Sequence, residues 1–284
     1  MRHVAIALNA FSFGMLLFLL ASGLTITFGL MRTLNLAHGG FYLVAGYLSY
    51  DIATRSSNFW VGLLVGVAVT TAVGIVFERV LLHRVRNDEL GQIMVTIGFA
   101  FIIGDVMLMR YGGNPLLVPP PEWLAGSVEF AGVVFPKFRL AVIVVGLVVA
   151  AAIGSLLKWT KIGAKVRAAV DDNEIAQTVG VAVPRLFMLV FGIGTALAAL
   201  AGVLGSSFIG LAVGNEFRIL LLSIVVVVVG GLGSVKGAFI AALLVAFVDQ
   251  YGKLWFPELA LFTLYAPVAL FLSFRPRGLF GTEA

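Results

Sequence analysis

The sequence predicts an all-α, polytopic membrane protein with about 8–9 transmembrane helices, some of them short or discontinuous. Three observations predict it. Hydrophobic residues fill 61% of the 284 positions and charged residues only 12%, where soluble domains run near one half and one quarter. The mean hydropathy is +1.08, so the chain has too little polar surface to coat a soluble globule. The apolar residues fall in runs near the length, about 20 residues, that crosses a bilayer as a helix. A helix also satisfies its own backbone hydrogen bonds in lipid.

In chain order the runs are 5–30, 39–52, 59–78, 91–109, 138–157, 186–207, 217–230, 237–251 and 258–274. The first follows only Arg2 and His3 and is too long for the apolar core of a signal peptide. The runs 39–52 and 217–230 are short, so each is either a half-helix or a tilted span with polar ends. No stretch resembles a separate soluble domain, and residues 1–284 read as a single transmembrane domain.

The formal charge is +5. The basic residues sit between apolar runs, which points to membrane orientation rather than to nucleic acid. Segment 78–90 holds Arg79, His83, Arg84 and Arg86; segment 158–185 holds Lys158, Lys161, Lys165, Arg167 and Arg185; the tail holds Arg275 and Arg277. All three are expected in the cytoplasm. The proline-rich 110–137 loop with Trp123, and the 252–258 loop with Trp255 and Pro257, then fall outside as irregular cover. The side of the N-terminus stays open. The absence of cysteine excludes disulfides and thiol chemistry. Gly62 and Gly66 form a GxxxG pair, and Gly192, Gly194, Gly202 and Gly205 recur along another run, as expected where helices pack closely in lipid. Gly39, Phe41 and Asp51 match Gly237, Phe239 and Asp249, a similarity that a repeat and chance explain equally well.

Segment 158–185 is more organised than a connector requires. Asp171, Asp172 and Asn173 offer N-caps and Glu174 suits a first helical turn. Gly180 fits the C-terminal position, with Pro184 just beyond. Ile175, Ala176 and Val179 supply a small apolar face. One reading is a helix lying on the lipid surface, but such helices favour basic polar faces and this one begins acidic. A docking element for a cytoplasmic partner is the favoured reading. Elsewhere, Gly230–Gly237 resembles a phosphate-binding loop superficially, but Val235 precedes the lysine and Gly237 follows it. The ionisable residues inside the runs are Asp51, Asp105 and Asp249. Asn35 and His38 stand in a polar stretch, Arg32–Gly40, without the paired base, nucleophile or ligand set of a catalytic or metal site.

The pattern at Gly163, Ala164, Arg167, Ala168, Asn173, Ala176, Gly180 and Val181 resembles the cytoplasmic loop of permeases in the high-affinity branched-chain amino acid ABC transporter family. Gly23–Tyr50 and Val225–Val245 resemble two further blocks of that family, in its order and closest to its H-type permease subunit. Lys165 stands where the family often has Arg. The resemblance implies a permease domain over 1–284 in the bacterial inner membrane, in complex with a second, similar or identical permease. It also implies two cytoplasmic ATP-binding subunits and an extracytoplasmic solute-binding protein. ATP and Mg would be bound by the ATPases, leaving this chain without cofactor, metal or enzymatic site. Gly163, Arg167, Ala168, Asp171, Asn173, Ala176 and Gly180 would form the ATPase-coupling element, and Asn35, Ala37, His38 and Gly39 a hinge. The translocation path would take in Asn35, His38, Thr96 and Gly98, where weak contacts let a zwitterion pass. Leucine, isoleucine and valine are the leading substrates, with other amino acids, amides or urea as alternatives. A secondary transporter acting alone would need essential intramembrane charges and a clear inverted repeat, both poorly represented in the sequence. A membrane-embedded enzyme would need a polar cluster at one depth.

Overall fold

A computed structural model describes residues 2–31, 34–86, 88–130 and 133–281. The helices are α1 (Arg2–Met31), α2 (Ala37–Ser56), α3 (Phe59–Val80), α4 (Glu89–Tyr111), α5 (Lys137–Trp159), α6 (Lys161–Asp171), α7 (Asn173–Thr178), α8 (Val183–Phe208), α9 (Asn215–Gly230), α10 (Val235–Trp255) and α11 (Ala260–Phe274). Every apolar run is therefore a helix. Six of them, α1, α3, α4, α5, α8 and α10, are long and apolar enough to cross a bilayer. The linker 110–137 is more regular than expected. A hairpin of β1 (Ser127–Phe130) and β2 (Val133–Pro136) pairs Val128 with Phe135, because alternate residues of β2 are buried.

The two short runs differ from ordinary spans. The His38 Nε2 lies 3.0 Å from the Leu20 carbonyl oxygen, in the middle of α1, and α1 continues to Met31, about 16 Å further on. The α2 N-terminus is thus recessed into the body of the protein. It meets the start of α9, since a methyl group on Gly39 would lie 2.8 Å from the Glu216 carbonyl oxygen. Both helices have buried N-terminal turns that need local caps. The Asn35 Oδ1 accepts from the Ala37 amide at 3.1 Å, and the Glu216 Oε2 accepts from the Gly214 amide at 2.6 Å.

The basic segments share one face. The α3–α4 link, the α5–α8 link, the α9–α10 turn and the C-terminal tail all lie there, and Leu279 and Phe280 donate backbone hydrogen bonds to Val229 and Gly230. The opposite face carries the α2–α3 turn, the β hairpin and the α10–α11 link. His3 stacks on Tyr251 near the end of α10, so the chain begins on that opposite face. There Asp51 ties α2 to α4, accepting from the Arg110 guanidinium at 2.7 Å and the Tyr111 hydroxyl at 2.8 Å.

The helices form two sets with opposite sense. In the first, α1 packs on α10 of the second; in the second, α8 packs on α3 of the first. Likewise α2 packs on α3, α4 and α8, and α9 packs on α10, α11 and α1. Since α1 and α8 run in opposite directions, α1–α4 and α8–α11 are an inverted pair, a common build for transporters. The sequence match of Gly39–Asp51 with Gly237–Asp249 is not the trace of this pair, because α2 corresponds to α9 and not to α10. The glycine series serve packing: Gly62 and Gly66 bring α3 against the α2 backbone at Ser49 and Ala45.

The inverted pair extends to two ionic clasps. Near the end of α3, the buried Glu78 (3% exposed) pairs with Arg86, whose guanidinium stands 4.4 Å from the Phe187 ring of α8. Near the end of α10, the buried Asp249 (4% exposed) pairs with Lys253, whose ammonium stands 6.0 Å from the Phe13 ring of α1. Each clasp fastens one set to the first helix of the other, at opposite faces. Removing one partner of a buried pair strands a charge and costs about 3–5 kcal/mol, whereas replacing both by apolar residues is near neutral. Arg86→Met is therefore expected to lower the melting temperature of the detergent-purified protein clearly. Glu78→Met with Arg86→Met is expected to recover most of the loss. Lys253→Met should add to Arg86→Met, since the two sites are remote from each other.

Candidate functional site

Between α5 and α8 the chain makes two sharp corners on the basic face. At the first, the Thr160 hydroxyl accepts from the Gly163 amide at 3.1 Å and donates to the Leu156 carbonyl at 2.6 Å, so it closes α5 and opens α6 together. The approach is so tight that a methyl group on Gly163 would lie 2.2 Å from the Leu157 carbonyl oxygen. The Arg167 guanidinium, one turn further along, donates to that same Leu157 carbonyl. Arg167 is thus a C-terminal cap of α5 as well as an exposed side chain. The α6 helix was not anticipated from the sequence, because its cap, Thr160, directly follows the apolar run of α5 and also closes that helix. Gly163, Val166 and Ala169 form its buried face, and Val166 and Ala169 share an apolar cluster with Ile153, Leu186 and Val190.

At the second corner the Asp172 carboxylate accepts from the Ile175 amide at 2.9 Å and caps α7, as its position foretold. The helix ends at Gly180 (φ +88°), where the Val181 amide reaches back to the Ala176 carbonyl at 3.0 Å. This is the glycine-dependent C-terminal motif in which a left-handed residue redirects the chain. The small apolar face divides in two. Ala176 (2% exposed) points inward to Val183 and Phe187, whereas Ile175 (61%) and Val179 (73%) point away from the protein. Ala168, Asp171, Asp172 and Glu174 are exposed around them. The side chain of Asn173 lies outside the described residues. The outer surface of the corner is therefore an apolar pair, four residues apart, rimmed by carboxylates and backed by the basic residues of α5 and α6.

The residues assigned to the path are dispersed. Asn35 and His38 are buried at the recessed start of α2, and Arg32 and Thr33 before them lie outside the described residues. The Leu20 carbonyl can only accept, so the His38 Nε2 carries the proton and Nδ1 is an acceptor that finds no partner among the described residues. Thr96 is buried inside the subunit, its hydroxyl donating to Ile93 at 3.1 Å, while Gly98 on the same helix faces open space. Gly230–Gly237 is a turn with two positive-φ glycines, Gly231 and Gly233, and Ser234 caps α10 through the Gly237 amide at 3.1 Å. The tail that straps this turn, with Lys236 5.1 Å from the Phe280 ring, had no signal in the sequence beyond Arg277–Gly281.

The profile of the family described as branched-chain amino acid transport system, permease component, matches residues 6–272. The high-affinity branched-chain amino acid transport system permease protein LivH of Salmonella typhimurium is 26% identical, over 96% of this chain and 94% of its own. The permease protein BraD of Pseudomonas aeruginosa is 25% identical over 96% and 94%. The high-affinity branched-chain amino acid transport system permease protein LivM of Salmonella typhimurium is 28% identical over 93% of this chain and 68% of its own. Among solved structures, a metal-chelate type ABC transporter in an inward-facing conformation shares the fold at a TM-score of 0.53 and 16% identity, over 96% and 85%. The chain belongs to the family of branched-chain amino acid transport permeases, the inner-membrane permease subunits of ABC importers.

Proposed function

We propose that this chain carries leucine, isoleucine and valine across the inner membrane, driven by ATP hydrolysed in separate subunits that grip the corner around α7. The observation that carries this reading is the pair Ile175 and Val179, exposed on a loop that is otherwise capped, packed and ordered. An apolar pair turned away from both core and membrane body is a knob for a groove. Burying each such side chain is worth about 1.5–3 kcal/mol, enough for two of them to decide an assembly. The carboxylates at Asp171, Asp172 and Glu174 would set its register against cations of the groove. In this reading the partners are the two ATPases, which bind ATP and Mg, a second permease and an external solute-binding protein. Gly163, Arg167, Ala176 and Gly180 shape the knob rather than touch the partner, and Ala168 and Asp171 border it. The substrates follow from the relatives and not from this geometry.

The test is co-expression with the genes that neighbour it. Ile175→Glu with Val179→Glu is expected to lower co-purification of ATPase subunits and leucine uptake at least tenfold while leaving the melting temperature unchanged. Uptake by the purified chain alone from an ion gradient would refute the assignment. Uptake of urea or glutamine in preference to leucine would overturn the substrate. Because Ala176 is buried, Ala176→Trp tests folding of the loop and not docking.

Gly163→Ala is expected to force the α5–α6 corner open. Trypsin cleavage at Lys161 and Lys165 should accelerate in membranes, and uptake should fall with the Ile175 and Val179 knob intact in sequence.

A further inference from the structure

A cavity of about 220 Å³ lies between α1, α8, α9 and α10. Three of its lining residues place it toward the face opposite the basic segments: Phe208 ends α8, Asn215 opens the recessed α9, and Lys253 stands two residues before the end of α10. Its lining is of two kinds. Phe13, Phe208, Ile219 and Leu222 are apolar, whereas Asn215, Arg218, Gln250 and Lys253 are polar or charged.

The polar groups are not equally engaged. Lys253 is paired with the buried Asp249, and the Gln250 Nε2 donates to the same carboxylate at 3.1 Å. A carboxylate only accepts, so the Gln250 carbonyl oxygen is turned away from Asp249 and keeps its accepting capacity. Arg218 is exposed, and among the described residues its guanidinium makes no ion pair or hydrogen bond. The Asn215 side chain likewise makes no hydrogen bond among them. A charged side chain among membrane helices is costly and stands where it meets water, protein or a passing solute. Here one cation is neutralised by its neighbour and the other is free.

We propose that this cavity holds the solute during import, as an α-amino acid with an aliphatic side chain. A free guanidinium takes a carboxylate through two parallel N–H···O bonds. The Gln250 carbonyl oxygen accepts from the α-ammonium group. Phe13, Ile219 and Leu222 cover the aliphatic part. Because Asp249 already holds Lys253, the carboxylate meets a single strong donor, and such weak binding lets the solute leave. The inference rests on the importer reading and adds where in the chain the solute is held. A lipid phosphate carries the same anionic chemistry toward Arg218, and the experiment separates the two sources.

Photo-leucine, a diazirine analogue of leucine, tests this on the purified transporter, with its ATPases and second permease, in phosphatidylcholine nanodiscs. Adducts are expected on segments 208–222 and 250–253. Excess leucine is expected to lower their yield at least tenfold, and leucinol, which lacks the carboxylate, to leave it unchanged. Arg218→Gln is expected to lower both adduct yield and leucine uptake at least tenfold, with ATPase co-purification and melting temperature as in the parent. Arg218→Lys should restore part of both. Adducts confined to other segments, equal displacement by leucinol, or an unchanged yield in Arg218→Gln would overturn the site. Loss of the adducts when phosphatidylglycerol replaces phosphatidylcholine would give the cavity to a lipid headgroup and overturn it as well. Failure of labelling with ATPase capture still dependent on Ile175 and Val179 would sink the site and leave the proposed function standing.

Discussion

The structure hangs on the point where α1 and α8 cross. Gly23 and Gly194 face each other there, and a methyl group on Gly23 would stand 2.6 Å from the Gly194 carbonyl oxygen. A methyl group on Gly194 would stand 3.0 Å from the Gly23 carbonyl oxygen in return. In lipid no hydrophobic force draws two helices together, so contact depends on how closely their backbones approach. This reciprocal contact sets the distance between the two helices on which α2, α3, α5, α9 and α10 pack. Most of the fully buried large side chains, among them Leu16, Leu19 and Leu20 of α1 and Phe191 of α8, radiate from these two helices. The recessed His38 is anchored three residues from Gly23, on the Leu20 carbonyl.

From that crossing the inverted arrangement follows. Two antiparallel helices that meet near their middles present equivalent flanks to opposite faces. A chain that packs α2 and α3 on one flank can pack α9 and α10 on the other by the same contacts. The clasps illustrate this at side-chain level: Glu78 with Arg86 against Phe187, and Asp249 with Lys253 against Phe13, use the same chemistry with different residues. Arginine replaces lysine and glutamate replaces aspartate, so the correspondence is one of function at the helix end and leaves no sequence identity. An inverted build recurs among transporters and does not by itself say what drives the motion.

That distinction separates what was legible in the sequence from what was not. The spans were legible because apolar length is a one-dimensional property fixed by bilayer thickness. The peculiarity of α2 and α9 was legible as shortness, although their recessed starts at Asn35 and Gly214 were not. The caps of α7 were legible because Asp172 and Gly180 act on backbone within a few residues of themselves. The α6 helix escaped because Thr160 caps it while also ending α5, a double role with no local signature. The inward turn of Ala176 and outward turn of Ile175 depend on where α8 lies, and so does the burial of Thr96 on where α2 lies. Arg167 read as a partner contact because its bond to the Leu157 carbonyl spans ten residues and a corner. For Ala176, Ile175 and Thr96 the deciding neighbour is remote in the chain, whereas for α6 it is the adjacent Thr160.

The corner around α7 and the crossing at Gly194 are joined by a short, stiff route. Only 179–182 separate α7 from α8, and that link is held by the Val181 amide on Ala176 and the Val183 amide on the Val181 carbonyl at 2.8 Å. The first turns of α8 put Leu186 and Phe187 into the cluster that receives Val166, Ala169 and Ala176. Phe187 also carries Arg86, which binds Glu78 of α3. A displacement of α7 by a few ångströms therefore cannot be taken up in a slack linker. It meets α8 directly, and α8 is packed along its length against α1, α2 and α3. At the crossing of α8 with α1 the Thr27 methyl stands 2.7 Å from where a methyl group on Gly194 would be and the His38 ring 2.9 Å from where one on Gly23 would be, so the contact is filled by side chains as well as close.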